Sequence, residues 1–189
     1  MTHETGSAHA QPPLLPLDLP PAIRIDFLPD GKTLEGMLAA GELDALFSLY
    51  LPDSFLRGAP HVARLFPDHK EVAQDYYRRT KIFPIMHTVV VRADVHREHP
   101  WVAQSLYRAF CEARDVATHG LYDTDALHLS LPFLIDHVEE TWRVLGRDFW
   151  SYGLAPNRPT LAAIGQYVHE QHLSPRIVAA EEIFPPDET

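Results

Sequence analysis

Tyr76 to Arg92 is the run YYRRTKIFPIMHTVVVR, which is the most informative part of the sequence. Its last part, Val89–Val91, is continuously β-branched, which is typical of a strand buried on both faces. We therefore predict a strand over residues 85–92. His87 lies at the entrance of that strand, where an imidazole can transfer a proton near neutral pH. The alternative is a hydrogen-bonded core histidine, with the neighbouring cations forming a solvated helix end.

Two more strands are predicted on the N-terminal side of this run. Residues 23–28 alternate apolar and polar side chains, and residues 43–49 form a short apolar stretch. A loop over residues 51–55 should follow the second strand. Ligands of open α/β sheets bind beyond the carboxyl ends of strands, so this loop is a candidate binding element.

Helices are predicted from caps and from apolar residues at helical spacing. Thr33 is a suitable N-cap for a helix over residues 34–40, and Gly41 is suited to end it. Proline at position 100 fits the first turn of a further helix. The other predicted helices cover residues 69–79, 102–117, 134–145 and 161–168, the last after a turn at residues 157–159. The loop of residues 148–153, DFWSYG, has two interpretations, a functional aromatic loop and a packing loop, and the packing loop is favoured.

Length and charge exclude several classes of protein. A chain of 189 residues is expected to form one domain or two small lobes. The net charge of −10 argues against binding to nucleic acid. No apolar run is long enough to span a membrane, and Met1–Gln11 lacks the apolar region of a secretory signal. We therefore expect a cytoplasmic protein.

Metal and cofactor chemistry have little support in the sequence. The pairs His96/His99 and His169/His172 have a spacing that can chelate a metal on a helix, yet neither belongs to a standard metal motif. Cys111 stands alone and is expected to be a small core residue. Phosphate-loop and dinucleotide motifs are absent, so we expect neither a metal nor a cofactor.

The same run also carries a resemblance, together with five other pieces of the chain. These are residues 23–34 (IRIDFLPDGKTL), 41–46 (GELDAL), 64–68 (RLFPD), 99–107 (HPWVAQSLY) and 148–153 (DFWSYG). On these pieces the chain from Ile23 to its end resembles the C-terminal portion of the 4,5-dihydroxyphthalate decarboxylase family. That family is built on the type II periplasmic-binding-protein fold.

The resemblance implies an α/β fold that lacks most of its N-terminal lobe. Residues 1–22 would be a proline-rich linker, residues 23–84 the remainder of the second lobe, and residues 85–189 a crossing strand with the helical part of the first lobe. In that fold the ligand lies in the cleft between two lobes.

The reaction implied is non-oxidative decarboxylation of 4,5-dihydroxyphthalate to protocatechuate, by a carboxy-lyase that needs no redox cofactor. From side-chain chemistry, His87 is the candidate general acid, and arginine is the best residue to hold the substrate carboxylates. The candidate substrate-binding residues are Asp53, Ser54, Arg57, Tyr77, Arg78, Arg79 and Arg92. The partner would be a small aromatic dicarboxylate, and a homo-oligomer is compatible with the sequence. The alternative is a cytoplasmic solute-binding-like module that holds an aromatic acid without catalysis.

Overall fold

The structure is a computed structural model that describes residues 18–125 and 128–184. Most of the proline-rich start predicted over residues 1–22 lies outside the described residues. The helices of the described part are α1 (Leu34–Ala39), α2 (Asp53–Leu56), α3 (His69–Thr80), α4 (Ala93–Glu98), α5 (Trp101–Gly120), α6 (Leu134–Leu145), α7 (Leu154–Glu170) and α8 (Ala180–Ile183). They belong to two units, the first extending to His69 and the second beginning at Lys70.

The first unit is built around α1 and α2. Thr33 caps α1 as predicted, because its Oγ1 accepts a hydrogen bond from the Gly36 N–H at 3.0 Å. Gly41 follows the helix with a φ of 73°, a conformation that glycine adopts without strain. Glu35 of α1 then accepts hydrogen bonds from the N–H groups of Asp53 and Ser54, at 2.5 and 3.3 Å. This carboxylate therefore satisfies the first free N–H groups of α2.

In the second unit, α3 is held to α6 by side chains. Glu140 of α6 accepts hydrogen bonds from the Lys70 ammonium at 2.5 Å and from the Gln74 amide at 2.8 Å. Tyr77 of α3 donates to the carbonyl oxygen of Leu145 at 3.3 Å. These contacts position the last turn of α3, which carries Arg78 and Arg79.

The buried apolar side chains of the described residues are Leu134 and Val138 of α6 and Leu154 of α7. Leu134 and Val138 are four residues apart, so they share one face of α6. This small core contrasts with the many aliphatic side chains that remain exposed.

The predicted helices over residues 34–40, 69–79 and 134–145 are confirmed. So is the helix predicted over residues 102–117, which forms part of α5. The short helices α4 and α8 were not predicted. Each has at most six residues, too few for a clear apolar period.

The predicted turn at residues 157–159 is wrong, because α7 already begins at Leu154 and contains Pro159. The amide of Asn157 donates to the carbonyl oxygens of Ser151 and Gly153, at 3.0 and 2.8 Å. These bonds close the preceding loop onto the first turn of the helix. Pro159 is the sixth residue of α7 and therefore lies inside the helix, where proline has no N–H to donate to the carbonyl oxygen four residues earlier.

The predicted strands over residues 23–28, 43–49 and 85–92 are absent from the described part of the chain, which is helical and otherwise irregular. Val89 and Val90 are 64% and 87% exposed, so the burial expected for the last of these strands is wrong too. A strand needs a neighbouring backbone for its N–H and C=O groups, and residues 18–125 and 128–184 supply none to this run. The periodicity of side chains does not reveal whether such a neighbour exists.

Helix α3 ends abruptly just before this irregular segment. Lys81 has a φ of 59°, and its N–H donates to the carbonyl oxygen of Tyr77 at 2.8 Å. A left-handed residue at this position ends a helix, although glycine is its usual occupant. The chain therefore leaves the helix at Lys81 and runs through residues 82–92 without regular structure.

None of the helices in the described part of the chain has the length and apolar character needed to cross a membrane.

Candidate functional site

Two predicted site residues, Asp53 and Ser54, lie on α2 in the first unit, and a third, Arg57, directly follows the helix. The predicted loop over residues 51–55 is thus partly wrong, since residues 53–56 are helical. Arg57 approaches the Asp53 carboxylate at 3.6 Å, and both side chains are exposed. Ser54 is 4% exposed, and its Oγ has no hydrogen-bond partner among the described residues. This element therefore combines a cation, a carboxylate and an unsatisfied buried hydroxyl within about one helical turn.

Three more, Tyr77, Arg78 and Arg79, lie on the last turn of α3 in the second unit. Arg79 is paired with Asp75 at 2.8 Å, so a neighbouring carboxylate offsets its charge. Arg78 donates to the neutral amide oxygen of Gln74 at 3.0 Å and keeps its positive charge available. Both guanidinium groups are exposed. Of the two, Arg78 is better suited to bind an anionic ligand.

His87 lies in the irregular segment that follows α3, and its side chain is exposed. It has no hydrogen-bond partner among the described residues, which does not match the interpretation as a satisfied core histidine. The imidazole is accessible to solvent and to small molecules.

Arg92, at the end of the same segment, forms an ion pair with the Asp94 carboxylate. Its guanidinium makes two hydrogen bonds to Asp94, at 2.9 and 2.6 Å. The bonded guanidinium lowers the pKa of the Asp94 carboxyl below its ordinary value. A substrate carboxylate would have to compete with Asp94 for Arg92.

The structure groups the predicted residues by unit. Asp53 and Ser54 lie on α2 and Arg57 directly follows it, whereas Tyr77, Arg78 and Arg79 share the end of α3. His87 and Arg92 follow along the chain in the second unit. The roles assigned to these residues stay predictions.

The predicted packing loop of residues 148–153 contacts the segment that leads to His87. The rings of Phe83 and Trp150 meet edge to face, with centroids 5.6 Å apart and planes at 70°. Thr160 of α7 donates to the carbonyl oxygen of Phe83 at 3.3 Å. The start of the segment is therefore held by the loop and by α7.

Sequence reasoning missed a cleft beside this loop, with a volume of about 290 Å³. Its lining consists of Arg114, Asp115, Thr118, Arg147, Asp148 and Trp150. The signal in the sequence was weak, because the two halves of the lining lie on α5 and after α6. Within residues 18–125 and 128–184, no three histidine, cysteine or acidic side chains are grouped closely enough to hold a metal ion.

Comparison with known proteins places the chain beside two curated relatives. It is 38% identical over 170 residues to the 4,5-dihydroxyphthalate decarboxylase of Comamonas testosteroni. The resemblance seen in the sequence is confirmed. A second relative, the 4,5-dihydroxyphthalate decarboxylase of Pseudomonas putida, is 42% identical over 62 residues. No protein-family model matches the chain.

Each match covers a larger share of this chain than of the relative. The first match takes in 90% of this chain but 52% of the Comamonas protein, so the chain spans about half the length of that relative. The second takes in 33% of this chain and 24% of the Pseudomonas protein. The activity named for these relatives is therefore a proposal for this chain.

Proposed function

We propose that the chain carries out non-oxidative decarboxylation of 4,5-dihydroxyphthalate to protocatechuate, as a carboxy-lyase of aromatic acid breakdown. The observation that carries this proposal is the 38% identity to a curated decarboxylase over 90% of the chain. A small aromatic dicarboxylate is then the substrate, and a cytoplasmic location belongs to the same proposal. So does the type II periplasmic-binding-protein-like α/β fold, which requires residues 85–92 to pair with a neighbouring strand.

Substrate binding would begin with the two carboxylates. The guanidinium group of arginine holds a carboxylate through two parallel hydrogen bonds, which favours arginine over lysine for this task. Arg78 suits this role best in the second unit, because its present partner is a neutral amide. Arg57 is the corresponding candidate in the first unit, with its weak 3.6 Å contact to Asp53 open to exchange. Arg79 and Arg92 would have to leave Asp75 and Asp94.

The hydroxyl groups of the substrate require different partners. Asp53 can accept hydrogen bonds from the catechol hydroxyls, and the phenol of Tyr77 can contact them as donor or acceptor. The buried Ser54 Oγ, which has no partner among the described residues, is a further candidate. A ligand that reached it would satisfy a buried polar atom, which favours binding.

The chemical step needs one proton and no oxidant. The imidazolium of His87 would protonate the ring carbon that bears the departing carboxylate, assisted by electron donation from the hydroxyl para to it. The bond between that carbon and the carboxylate then breaks, and its electron pair restores the aromatic ring as carbon dioxide leaves. The imidazole recovers its proton from water. A histidine side chain suits this step as a general acid, and the exposed imidazole can take up its proton again from solvent.

The test is turnover by the purified 189-residue chain, with loss of 4,5-dihydroxyphthalate and formation of protocatechuate followed chromatographically. His87→Gln should lower kcat by about 10²–10⁴-fold, the range for loss of a general acid, with substrate binding retained. His119→Gln is the matched control, because His119 is another exposed histidine of the same unit. Equal rates for the His87 variant and the control would remove His87 from the mechanism.

A second candidate function is a binding module that holds an aromatic acid without catalysis. The observation that favours it is that the exposed Arg57 and Arg78 can hold a carboxylate without any chemical step. Calorimetric titration with 4,5-dihydroxyphthalate separates the two functions. Binding without product after prolonged incubation supports the module, whereas product formation supports the enzyme.

A further inference from the structure

The cleft beside the aromatic loop has the dimensions of a small ligand site. It lies in the second unit, and none of the residues proposed for decarboxylation lines it. Its volume of about 290 Å³ is close to the lower limit of small-molecule sites, ~300 Å³. That space suits a single ring with small substituents. Trp150 supplies an aromatic wall, and its edge-to-face contact with Phe83 helps to hold that ring in place.

One arginine of the cleft is engaged by carboxylates. Arg114 contacts Asp115 at 2.7 Å and Asp148 at 3.5 Å, and its side chain is 19% exposed. The hydrogen bonds that Arg114 donates to the Asp115 carboxylate raise the pKa of Arg114 above its ordinary value. Arg114 therefore offsets part of the acidic charge of the lining and fixes the positions of the two carboxylates.

The other arginine has no such partner. Arg147 lies over the ring of Trp142, with its guanidinium carbon 4.1 Å from the centroid. Within residues 18–125 and 128–184, no carboxylate forms an ion pair with Arg147. Its five N–H donors can accordingly bind an anion that enters the cleft.

The acidic side of the lining retains acceptor capacity. Both hydrogen bonds from Arg114 to Asp115 end on a single oxygen, Oδ1, so the second oxygen can accept from a ligand hydroxyl. We propose that this cleft binds a hydroxylated single-ring aromatic carboxylate. The ligand's carboxylate pairs with Arg147, its hydroxyl donates to Asp115, and its ring packs against Trp150. This binding is separate from the proposed decarboxylation and involves no covalent step.

Isothermal titration calorimetry of the 189-residue chain with 4-hydroxybenzoate tests this proposal. We expect saturable binding that Arg147→Gln weakens by about tenfold or more, as for the loss of a charge-assisted hydrogen bond. Arg143→Gln is the matched control, because Arg143 is an exposed cation of α6 outside the lining. Its affinity should equal that of the unaltered chain.

Two further titrations locate the ligand and guard against misfolding. Arg78→Gln should bind 4-hydroxybenzoate as the unaltered chain does, because Arg78 lies outside the lining of the cleft. Loss of binding in Arg78→Gln but not in Arg147→Gln would overturn the proposal and place the ligand among the decarboxylation residues. If the circular dichroism of Arg147→Gln shows lost helix, the neutral 4-hydroxybenzamide is titrated into the unaltered chain. Affinity equal to that of 4-hydroxybenzoate, or no saturable binding of either compound, would overturn it as well.

Discussion

Helix α6 and the segment over residues 82–92 are both rich in aliphatic side chains, yet they differ in burial. The helix buries Leu134 and Val138, whereas Val89 and Val90 of the segment are exposed. A helix forms its backbone hydrogen bonds internally and needs a neighbour only for its apolar face. A strand needs a neighbour for its backbone as well. Aliphatic character alone therefore does not decide which part of this chain forms the core.

The largest effect is expected at a buried side chain of the second unit. Leu154 is 6% exposed, so Leu154→Ala should leave a cavity and lower the free energy of unfolding by about 2–5 kcal/mol. Fluorescence in a denaturant series measures this, since the three tryptophans, at positions 101, 142 and 150, all lie in the second unit. Leu131→Ala, at an exposed leucine, is the control and should change little. Equal effects of the two changes would mean that this core does not stabilise the unit.

A smaller effect on stability is expected at the contact between α3 and α6, where Glu140 accepts hydrogen bonds from Lys70 and Gln74. The Lys70 ammonium and the Gln74 amide lower the pKa of the Glu140 carboxyl below 4.5. The contribution of these bonds to stability is therefore present above pH 4.5 and is lost as the pH falls through the lowered pKa. Glu140→Gln should accordingly have a lower melting temperature than the unaltered chain near neutral pH.

The difference between these two proteins should shrink in acid. Melting curves followed by circular dichroism at a series of pH values, from neutral to strongly acidic, measure it. A difference that stays constant across the series would show that Glu140 stabilises the contact through packing rather than charge.

The smallest effect is expected in the irregular segment itself. Val90→Thr should change the free energy of unfolding by no more than about 0.5 kcal/mol, because an exposed hydroxyl is solvated. The same substitution at Val138 places a hydroxyl in the core and should cost about 1–3 kcal/mol. Denaturant unfolding of the two variants compares them directly. A cost at Val90 as large as that at Val138 would show that the segment is buried as a paired strand, as the sequence predicts.

Features set by neighbouring residues could be predicted from the sequence, whereas features set by distant residues could not. The bounds of α1, α3 and α6 were predictable because caps, breakers and apolar spacing lie within each helix. Thr33, Gly41 and Gly146 exemplify such local signals. The failed strand predictions depended on partners that lie elsewhere in space. The cleft was missed for the same reason, since Arg114 and Arg147 are brought together only by packing of their elements.

The candidate site shows how the two kinds of information combine. The sequence indicated which residues have suitable chemistry, and the resemblance on which the proposed reaction depends came from the sequence alone. The structure then distinguished between similar residues: Arg78 has a neutral partner, whereas Arg79 and Arg92 are paired with carboxylates. Local hydrogen bonding and apolar periodicity are properties of neighbouring residues, so the main helices could be predicted from the sequence. Burial, ion pairing and the lining of a cleft depend on residues that are distant along the chain, so they became known only from the tertiary packing.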